Sequence, residues 1–123
     1  MGDPRHLLGL AAEQAVAEWL TGTGWRIVAR RARSAGGGEV DLVALDPGRV
    51  LVAVEVRARR TARAGAAATS VDARRVARIG RTLAALGATC GEPHRGLRID
   101  LVTAEPALER NGCWRLTRLP GIG

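Results

Sequence analysis

Two carboxylates lie inside apolar segments of this sequence, where a solvated side chain is not expected. Asp41 interrupts the run VDLVAL, and Glu55 interrupts the run LVAVEV. A carboxylate buried without a partner costs several kcal/mol or takes up a proton, so each of these acids needs a cation nearby. Two carboxylates on one surface are ligands that Mg²⁺ accepts, with water and a phosphate filling the other positions. A metal held there would acidify bound water and offset charge on a phosphodiester.

The segment that carries both acids has the pattern of a β-hairpin. Its apolar runs, residues 40–45 and 50–56, flank an Asp-Pro-Gly turn signal at 46–48. Paired residues in an antiparallel ladder share a face, so Asp41 and Glu55 converge only if paired positions sum to an even number. A connection of three residues meets this condition. A two-residue Pro-Gly turn would separate the acids, and its twist does not suit a hairpin.

Two registers have the required parity: Leu45 opposite Arg49, or Asp46 opposite Val50. In either register, one face carries the polar residues Glu39, Asp41, Glu55 and Arg57, and the other carries the apolar residues Val40, Leu42, Val52, Val54 and Val56. Arg57 would then lie beside a phosphate held near the acids. Because an arginine is almost always protonated, Arg57 is a poor candidate for a general base.

The charge balance favours a polyanionic partner. Nineteen basic residues against twelve acidic ones give a net charge of +7, which points to nucleic acid first and to an anionic membrane surface second. An inert basic surface is the alternative. All nineteen basic residues are Arg, and Lys, Phe and Tyr are absent. A drift in overall composition explains this pattern. The presence of Arg instead of Lys at any one position is therefore not evidence of a specific role.

Length and cysteine content predict a single domain, residues 1–123, in a reducing, cytoplasmic setting. Cys90 and Cys113 lack metal-ligand spacing, and we expect free thiols, although a disulfide between them stays open. No apolar run approaches the roughly 20 residues that span a bilayer. We therefore expect a soluble protein.

The order of predicted elements is helix, three strands, helix, strand, strand, which indicates an α/β fold with a mixed sheet flanked by helices. The helices are predicted at His6–Leu20 and Ser70–Leu86, and the strands at Trp25–Arg33, 40–45, 50–56, Leu97–Ala104 and Cys113–Leu119. Ser70 is the predicted N-cap of the second helix, and Gly87 is its predicted stop. Glu13 lies at the edge of the first helix's buried stripe. It either looks inward across Gly9 or is an ordinary half-exposed helix residue.

Several arginines are candidates for phosphate contact. Arg59, Arg60 and Arg63 belong to a basic stretch between the hairpin and the second helix, which either closes over a phosphate backbone or is simply disordered. On the second helix, Arg74, Arg78 and Arg81 cluster on one face, and Arg75 lies between that face and the buried stripe. A solvated charged face is the commoner outcome for such a cluster.

Six longer stretches resemble a known family. They are LGLAAEQAVAEWL, WRIVARRAR, GEVDLVA, VAVEVRAR, SVDARRVARI and LRIDLV. Together they resemble the YraN-like family of small bacterial proteins, which is similar to archaeal Holliday junction resolvases and related to the PD-(D/E)xK restriction-endonuclease-like superfamily. The resemblance covers nearly the whole chain. It implies a restriction-endonuclease-like core and a metal-dependent endonuclease that acts on DNA, including branched or otherwise structured DNA.

Carried over by position, the resemblance implies that Glu13, Asp41 and Glu55 form an acidic triad around Mg²⁺ or Mn²⁺. The family usually has Lys where this chain has Arg57, and commonly has Lys where it has Arg75. A Lys in the third-strand motif is thought to orient the attacking water, so the departure at Arg57 bears on activity. Resolvase-like relatives often act as symmetric dimers. The resemblance therefore implies a homodimer for this chain, although no pattern of residues in the sequence predicts an interface.

The sequence also agrees with two other classes of function. One is a catalytically degenerate nucleic-acid-binding module that keeps the fold and the basic surface. The other is a structural or interaction domain whose acids are paired directly with Arg57 or Arg59. A fold alone does not distinguish these classes from an active nuclease.

Overall fold

The computed structural model describes residues 4–59, 71–107 and 113–122. The elements are α1 (Pro4–Gly22), β1 (Arg26–Ala32), β2 (Val40–Leu45), β3 (Leu51–Ala58), α2 (Ala73–Thr89), β4 (Leu97–Pro106) and β5 (Trp114–Leu119). The five strands form one sheet in the order β1-β2-β3-β4-β5. Neighbours are antiparallel except β3 and β4, which are parallel and joined through α2. The predicted order of elements and the mixed sheet are confirmed. Neither α1 nor α2 is long and apolar enough to cross a bilayer.

The hairpin of β2 and β3 has the predicted odd-length connection. The Asp46 N–H donates to the Val50 carbonyl at 3.0 Å, and the Arg49 N–H donates to the Asp46 carbonyl at 2.9 Å. Arg49 has a positive φ of 69°, as the last residue of a three-residue hairpin loop commonly does. The ladder runs from this turn to the pair Leu42 and Val54. Its register is therefore the second of the two that the sequence allowed.

The two helices pack against opposite faces of the sheet. On the first face, α1 contributes Val16, Ala17 and Leu20 to a buried cluster with Leu42, Ala44, Val52 and Val54. On the second face, α2 contributes Ile79 and Leu83 to a cluster with Val40, Val43, Leu51 and Ala53. The prediction that Val40 shares a face with Leu42 is wrong. The β2–β3 ladder ends at Leu42, so the strand is free to diverge from strict alternation before that residue.

The second helix begins and ends later than the sequence indicated. Its N-cap is Asp72, whose side chain accepts the Arg75 N–H at 2.9 Å; the predicted cap, Ser70, lies outside the described residues. The helix also continues through Gly87 to Thr89. A Cβ at Gly87 would lie 3.3 Å from the side chains of His94 and Leu97. This glycine therefore allows close packing rather than ending the helix.

The connection between β1 and β2 is anchored to α2. Buried Thr82 donates from Oγ1 to the Gly38 carbonyl at 2.7 Å, and Ser34 Oγ donates to Thr82 Oγ1 at 3.2 Å. Thr82 was not predicted as a core residue, because a polar residue in a helix usually faces solvent. Its hydrogen bonds fix the backbone immediately before β2 and its acidic residue.

This anchoring can be tested at Gly37. A Cβ at Gly37 would overlap Thr82 Oγ1 and Ser34 Oγ, so Gly37→Ala is expected to lower the free energy of unfolding by about 1–3 kcal/mol, measured by urea denaturation. Gly9→Ala is the matched control, because a Cβ there meets nothing within 4 Å. In the interior of α1 that change should be neutral or stabilising by up to about 1 kcal/mol. Equal effects of the two substitutions would contradict the anchoring.

A buried acid in β4 joins the end of β5 to the sheet. Asp100 is 0% exposed. Its carboxylate accepts bonds from Arg98 at 2.8 and 3.1 Å, from Arg118 at 3.0 Å and from the Gly121 N–H at 3.0 Å. Both guanidinium groups also lie over Trp25, at 5.9 and 5.4 Å from the ring centroid. This network gives Asp100 a structural role.

Candidate functional site

The β2–β3 ladder ends where the two acids lie. Asp41 and Glu55 each lie one residue beyond the last ladder pair, Leu42 and Val54. In place of a ladder bond at this end, the Val56 N–H donates to Asp41 Oδ2 at 2.8 Å. A side chain thus takes the role of a backbone acceptor, and the strands separate. Both carboxylates lie at this opening.

Glu55 is almost completely buried and only partly satisfied. Its side chain is 1% exposed, and Oε2 accepts two bonds from Arg75, at 3.0 Å from Nε and 2.6 Å from Nη2. Oε1 is buried and has no hydrogen-bond partner among the described residues. A buried carboxylate oxygen without a partner requires an explanation, and a ligand that is not part of the protein chain is one.

The opening continues into a cleft of about 410 Å³. It is lined by His6, Gly9, Leu10 and Glu13 from α1, by Arg31, Glu39 and Asp41 from the region of β1 and β2, and by Arg75 from α2. The helices pack on opposite faces of the sheet, so this is a place where side chains from both faces meet. The structure therefore brings Glu13 and Asp41 into one cleft, with Glu55 behind Arg75.

Burial and mutual repulsion act on all three acids. Burial raises the pKa of Glu13, and the charge of Asp41 raises it further, against a smaller opposing effect of Arg31. Burial also raises the pKa of Asp41, although the hydrogen bond from Val56 and the charge of Arg75 oppose it. The pKa of Glu55 is raised by burial and then by the charge of Asp41, against the opposing effects of Arg75 and of the Asp41 backbone N–H. Crowded carboxylates with raised pKa values are typical of functional sites, and a divalent cation would relieve the repulsion.

Arg31 reaches the cleft from an unusual backbone conformation. Its φ is +49° although it lies within β1, a region that costs an L-residue about 1–2 kcal/mol. Its Nε lies 3.5 Å from Glu13 Oε1. Such strain is concentrated at functional sites, where the position of a side chain outweighs the backbone cost. Arg31 is thus a further candidate residue of this site.

The other predicted cations near the acids lie in different surroundings. Arg57 follows Glu55 on β3. Burial dominates the pKa of Asp41, and among the charges that lower it Arg57 has less effect than Arg75. The side chain of Arg59 is 15% exposed and lies 4.0 Å from Glu105. The guanidinium seen on Glu55 is that of Arg75.

The remaining predicted phosphate contacts lie on α2 or outside the described residues. Arg74 and Arg78 are exposed and line, with Asp72, Ala77 and Arg81, a groove of about 500 Å³. Arg60 and Arg63 lie outside the described residues. The structure thus places the three helix arginines along one groove, which is separate from the residues that line the acidic cleft.

Three ionisable residues of the cleft were not predicted as site residues from the sequence: His6, Arg31 and Glu39. His6 lies three and seven residues before Gly9 and Glu13, a spacing that puts all three on one helix face. This spacing could have predicted that His6 lies near Glu13. Glu39 was placed on the face of the acids but without a role, and its side chain is 2.8 Å from Arg33. No sequence pattern indicated the backbone conformation of Arg31.

Across the three described ranges, no group of three His, Cys, Asp or Glu side chains is arranged to hold a metal ion by itself. Glu13, Asp41 and Glu55 thus do not form a closed protein cage. Mg²⁺ is usually bound through one or two carboxylates, with waters and substrate phosphates as the other ligands. Asp41 and the unpartnered oxygen of Glu55 fit this open arrangement.

These features define a small mixed α/β protein with an acidic cleft where its central strands separate. Residues 12–104 match the uncharacterised protein family UPF0102, and the chain belongs to this family. The predicted resemblance to the YraN-like family is confirmed at this level.

The chain is similar to UPF0102 proteins from several organisms. It is 43% identical over 99 residues to one from Symbiobacterium thermophilum, covering 80% of this chain and 82% of the relative. It is 43% identical over 98 residues to one from Deinococcus radiodurans, covering 79% of each chain. It is 34% identical over 121 residues to one from Mycolicibacterium vanbaalenii, covering 98% of this chain and 96% of the relative.

Proposed function

We propose that this protein hydrolyses phosphodiester bonds of nucleic acid with a divalent metal held at the acidic cleft. The observation that carries the proposal is that Glu55 Oε1 is buried and unpartnered among the described residues. Asp41 lies at the end of the β2–β3 ladder, where it accepts the Val56 N–H, and its charge acts on Glu55. A structural ion pair does not require a second carboxylate opposite the first. The crowding of Glu13 with Asp41 in the same cleft adds to this support.

Asp41 and Glu55 would hold the metal, and Glu13 would support the metal or its water. Mg²⁺ or Mn²⁺ at this position would acidify a bound water and neutralise charge on the phosphate. Hard cations of this kind select oxygen ligands, and the two carboxylates supply them.

The chain's own residues would position the substrate and move the proton. Arg31 and Arg75 line the cleft, and guanidinium groups bind phosphate oxygens through paired hydrogen bonds. Arg57 would add positive charge near the scissile phosphate. Glu13, whose pKa is raised chiefly by burial, suits the transfer of a proton from the attacking water. The water oxygen forms a bond to phosphorus, the ester P–O bond breaks, and the leaving oxygen takes a proton from solvent.

Binding of the polymer would use charge outside the cleft. The net charge of +7 and the groove lined by Arg74, Arg78 and Arg81 favour a polyanion, and we propose DNA, including branched or structured DNA. A cytoplasmic location agrees with the free thiols of Cys90 and Cys113. A homodimer would let one assembly act on both strands of such a substrate.

Cleavage by the purified protein tests the proposal. With Mg²⁺ or Mn²⁺, we expect cleavage of labelled branched, single-stranded or duplex DNA, and its loss in EDTA and in both Asp41→Asn and Glu55→Gln. Glu92→Gln is the control, because Glu92 pairs with exposed Arg26 and does not line the cleft. The proposal fails if wild-type protein cleaves none of these substrates, or if cleavage survives both cleft substitutions.

A non-catalytic nucleic-acid-binding module is the second candidate. It is favoured by the groove of Arg74, Arg78 and Arg81, whose lining residues are separate from those of the acidic cleft. Such a module binds DNA or RNA with an affinity that falls as salt rises. The same preparation distinguishes the two functions, because binding that persists unchanged in EDTA, without cleavage, supports the module.

A further inference from the structure

We infer that Arg75 competes with the metal for Glu55 and must leave this carboxylate before a divalent cation binds at Oε1. Arg75 is then a lock on the metal centre, opened by a phosphate that gives its guanidinium a new partner. The inference rests on the proposed function, because it requires a metal position at Asp41 and Glu55.

The two partners of this ion pair differ in freedom to move. The Glu55 side chain is 1% exposed and belongs to the central strand β3, whereas the Arg75 side chain is 39% exposed. A carboxylate held inside a sheet cannot follow its partner toward solvent. The long arginine side chain can turn outward without disturbing the backbone of α2. If the pair opens, Arg75 is the residue that moves.

The contacts between them occupy one carboxylate oxygen of Glu55 and leave the other without a partner. Both Arg75 donors, Nε and Nη2, bind the same oxygen, Oε2 of Glu55, at 3.0 and 2.6 Å. A guanidinium more often shares its donors between both carboxylate oxygens. Here Oε1 is left without a partner among the described residues. A dication approaching Oε1 would meet the guanidinium charge at close range, so the two cations compete for Glu55.

The position of Arg75 on α2 indicates what would draw it away. It lies in the first turn of the helix, three residues after the cap Asp72, and it also lines the cleft. Its neighbour Arg74 lines the arginine groove. A phosphate between groove and cleft would offer Arg75 an anionic partner. Metal and phosphate should therefore strengthen each other's binding, since one ligand removes the competitor of the other.

A Mn²⁺ titration of the full chain, followed by the electron paramagnetic resonance of free Mn²⁺, tests the lock. Arg75→Gln is expected to bind Mn²⁺ about tenfold more tightly than wild type, because it frees a charge-assisted pair of hydrogen bonds. Arg31→Gln is the matched control. It removes the same charge from the same cleft but touches Glu13 at 3.5 Å instead of Glu55, so its effect should be below about threefold. A short non-cleavable oligonucleotide should tighten Mn²⁺ binding to wild type and have less effect on Arg75→Gln.

Two results would overturn the lock while leaving the metal centre in place. One is equal Mn²⁺ affinity of wild type and Arg75→Gln, with binding lost in Asp41→Asn. The other is an equal gain in Arg75→Gln and Arg31→Gln, which would show a general effect of charge. If no variant binds Mn²⁺, the metal centre of the proposed function fails and the lock fails with it.

Nitrogen NMR tests the lock on the wild-type protein alone, so the result does not depend on whether a variant folds. The Arg75 Nε–H resonance should move toward that of a solvated arginine as Mg²⁺ is added, in parallel with metal binding. A resonance that stays unchanged while Mg²⁺ binds would show that Arg75 remains on Glu55, and the inference would be wrong.

Discussion

Asp100→Ala is expected to lower the free energy of unfolding by about 3–5 kcal/mol, the range found when one partner of a buried ion pair is removed. Asp100 is 0% exposed and accepts bonds from Arg98, Arg118 and the Gly121 N–H. Without it, both guanidinium groups lose a buried anion, and the end of β5 loses its bond to β4. Urea denaturation followed by circular dichroism measures the change.

The control for this prediction is an ion pair at the surface. Glu92→Gln breaks the bond to Arg26, whose side chain is 70% exposed, and exposed pairs contribute about 0–1 kcal/mol. The burial of the acid, and not the number of its ion pairs, should decide the size of the effect. A loss below about 1 kcal/mol for Asp100→Ala would contradict the structural role assigned to this network.

Asp41→Asn is expected to abolish cleavage and at the same time to raise stability by about 1 kcal/mol at neutral pH. Burial and the neighbouring acids make the Asp41 charge unfavourable, since burial raises the pKa of Asp41, and the charge of Asp41 raises the pKa of both Glu13 and Glu55. An asparagine oxygen can still accept the Val56 N–H, which is 2.8 Å from Asp41 Oδ2. The substitution therefore removes the charge and keeps the hydrogen bond.

The gain should depend on pH in a defined direction. Because the folded-state pKa of Asp41 lies above its unfolded value, the folded protein holds more protons between the two values. This group's stabilisation is complete below the unfolded pKa and is lost as the pH rises through the folded pKa. The free energy of unfolding of Asp41→Asn should thus exceed that of wild type most at pH values above the folded pKa of Asp41. The difference should shrink as the pH falls toward the unfolded pKa. Denaturation across a pH series checks this. A variant less stable than wild type at neutral pH would contradict the prediction.

The sequence was sufficient to predict the register of the β2–β3 hairpin. The register of the hairpin follows from side-chain alternation and from the turn chemistry of residues 46–48, and both are local properties. That register leaves Asp41 and Glu55 each one residue beyond the last ladder pair, Leu42 and Val54, whereas the departure of Val40 from alternation was not predicted. The order of helices and strands likewise follows from local periodicity.

The partners of the buried charges could not be predicted in the same way. Arg75 and Glu55 are twenty residues apart, on elements whose separation depends on the packing of α2 against the sheet. The partners of Asp100 come from β4 and β5 for the same reason. Gly87 misled the prediction because glycine serves both to end helices and to allow close packing, and only the positions of His94 and Leu97 distinguish these roles.

Crystals soaked in Mn²⁺ and measured at the manganese absorption edge test the central claim, that Asp41 and Glu55 bind a divalent metal. The expected result is an anomalous peak at coordination distance, about 2.0–2.3 Å, from a carboxylate oxygen of Asp41 and from Oε1 of Glu55. The Arg75 guanidinium should be displaced from Glu55 in the same crystals. Absence of a peak in the cleft at saturating Mn²⁺, with Arg75 still bound to Glu55, would contradict the claim.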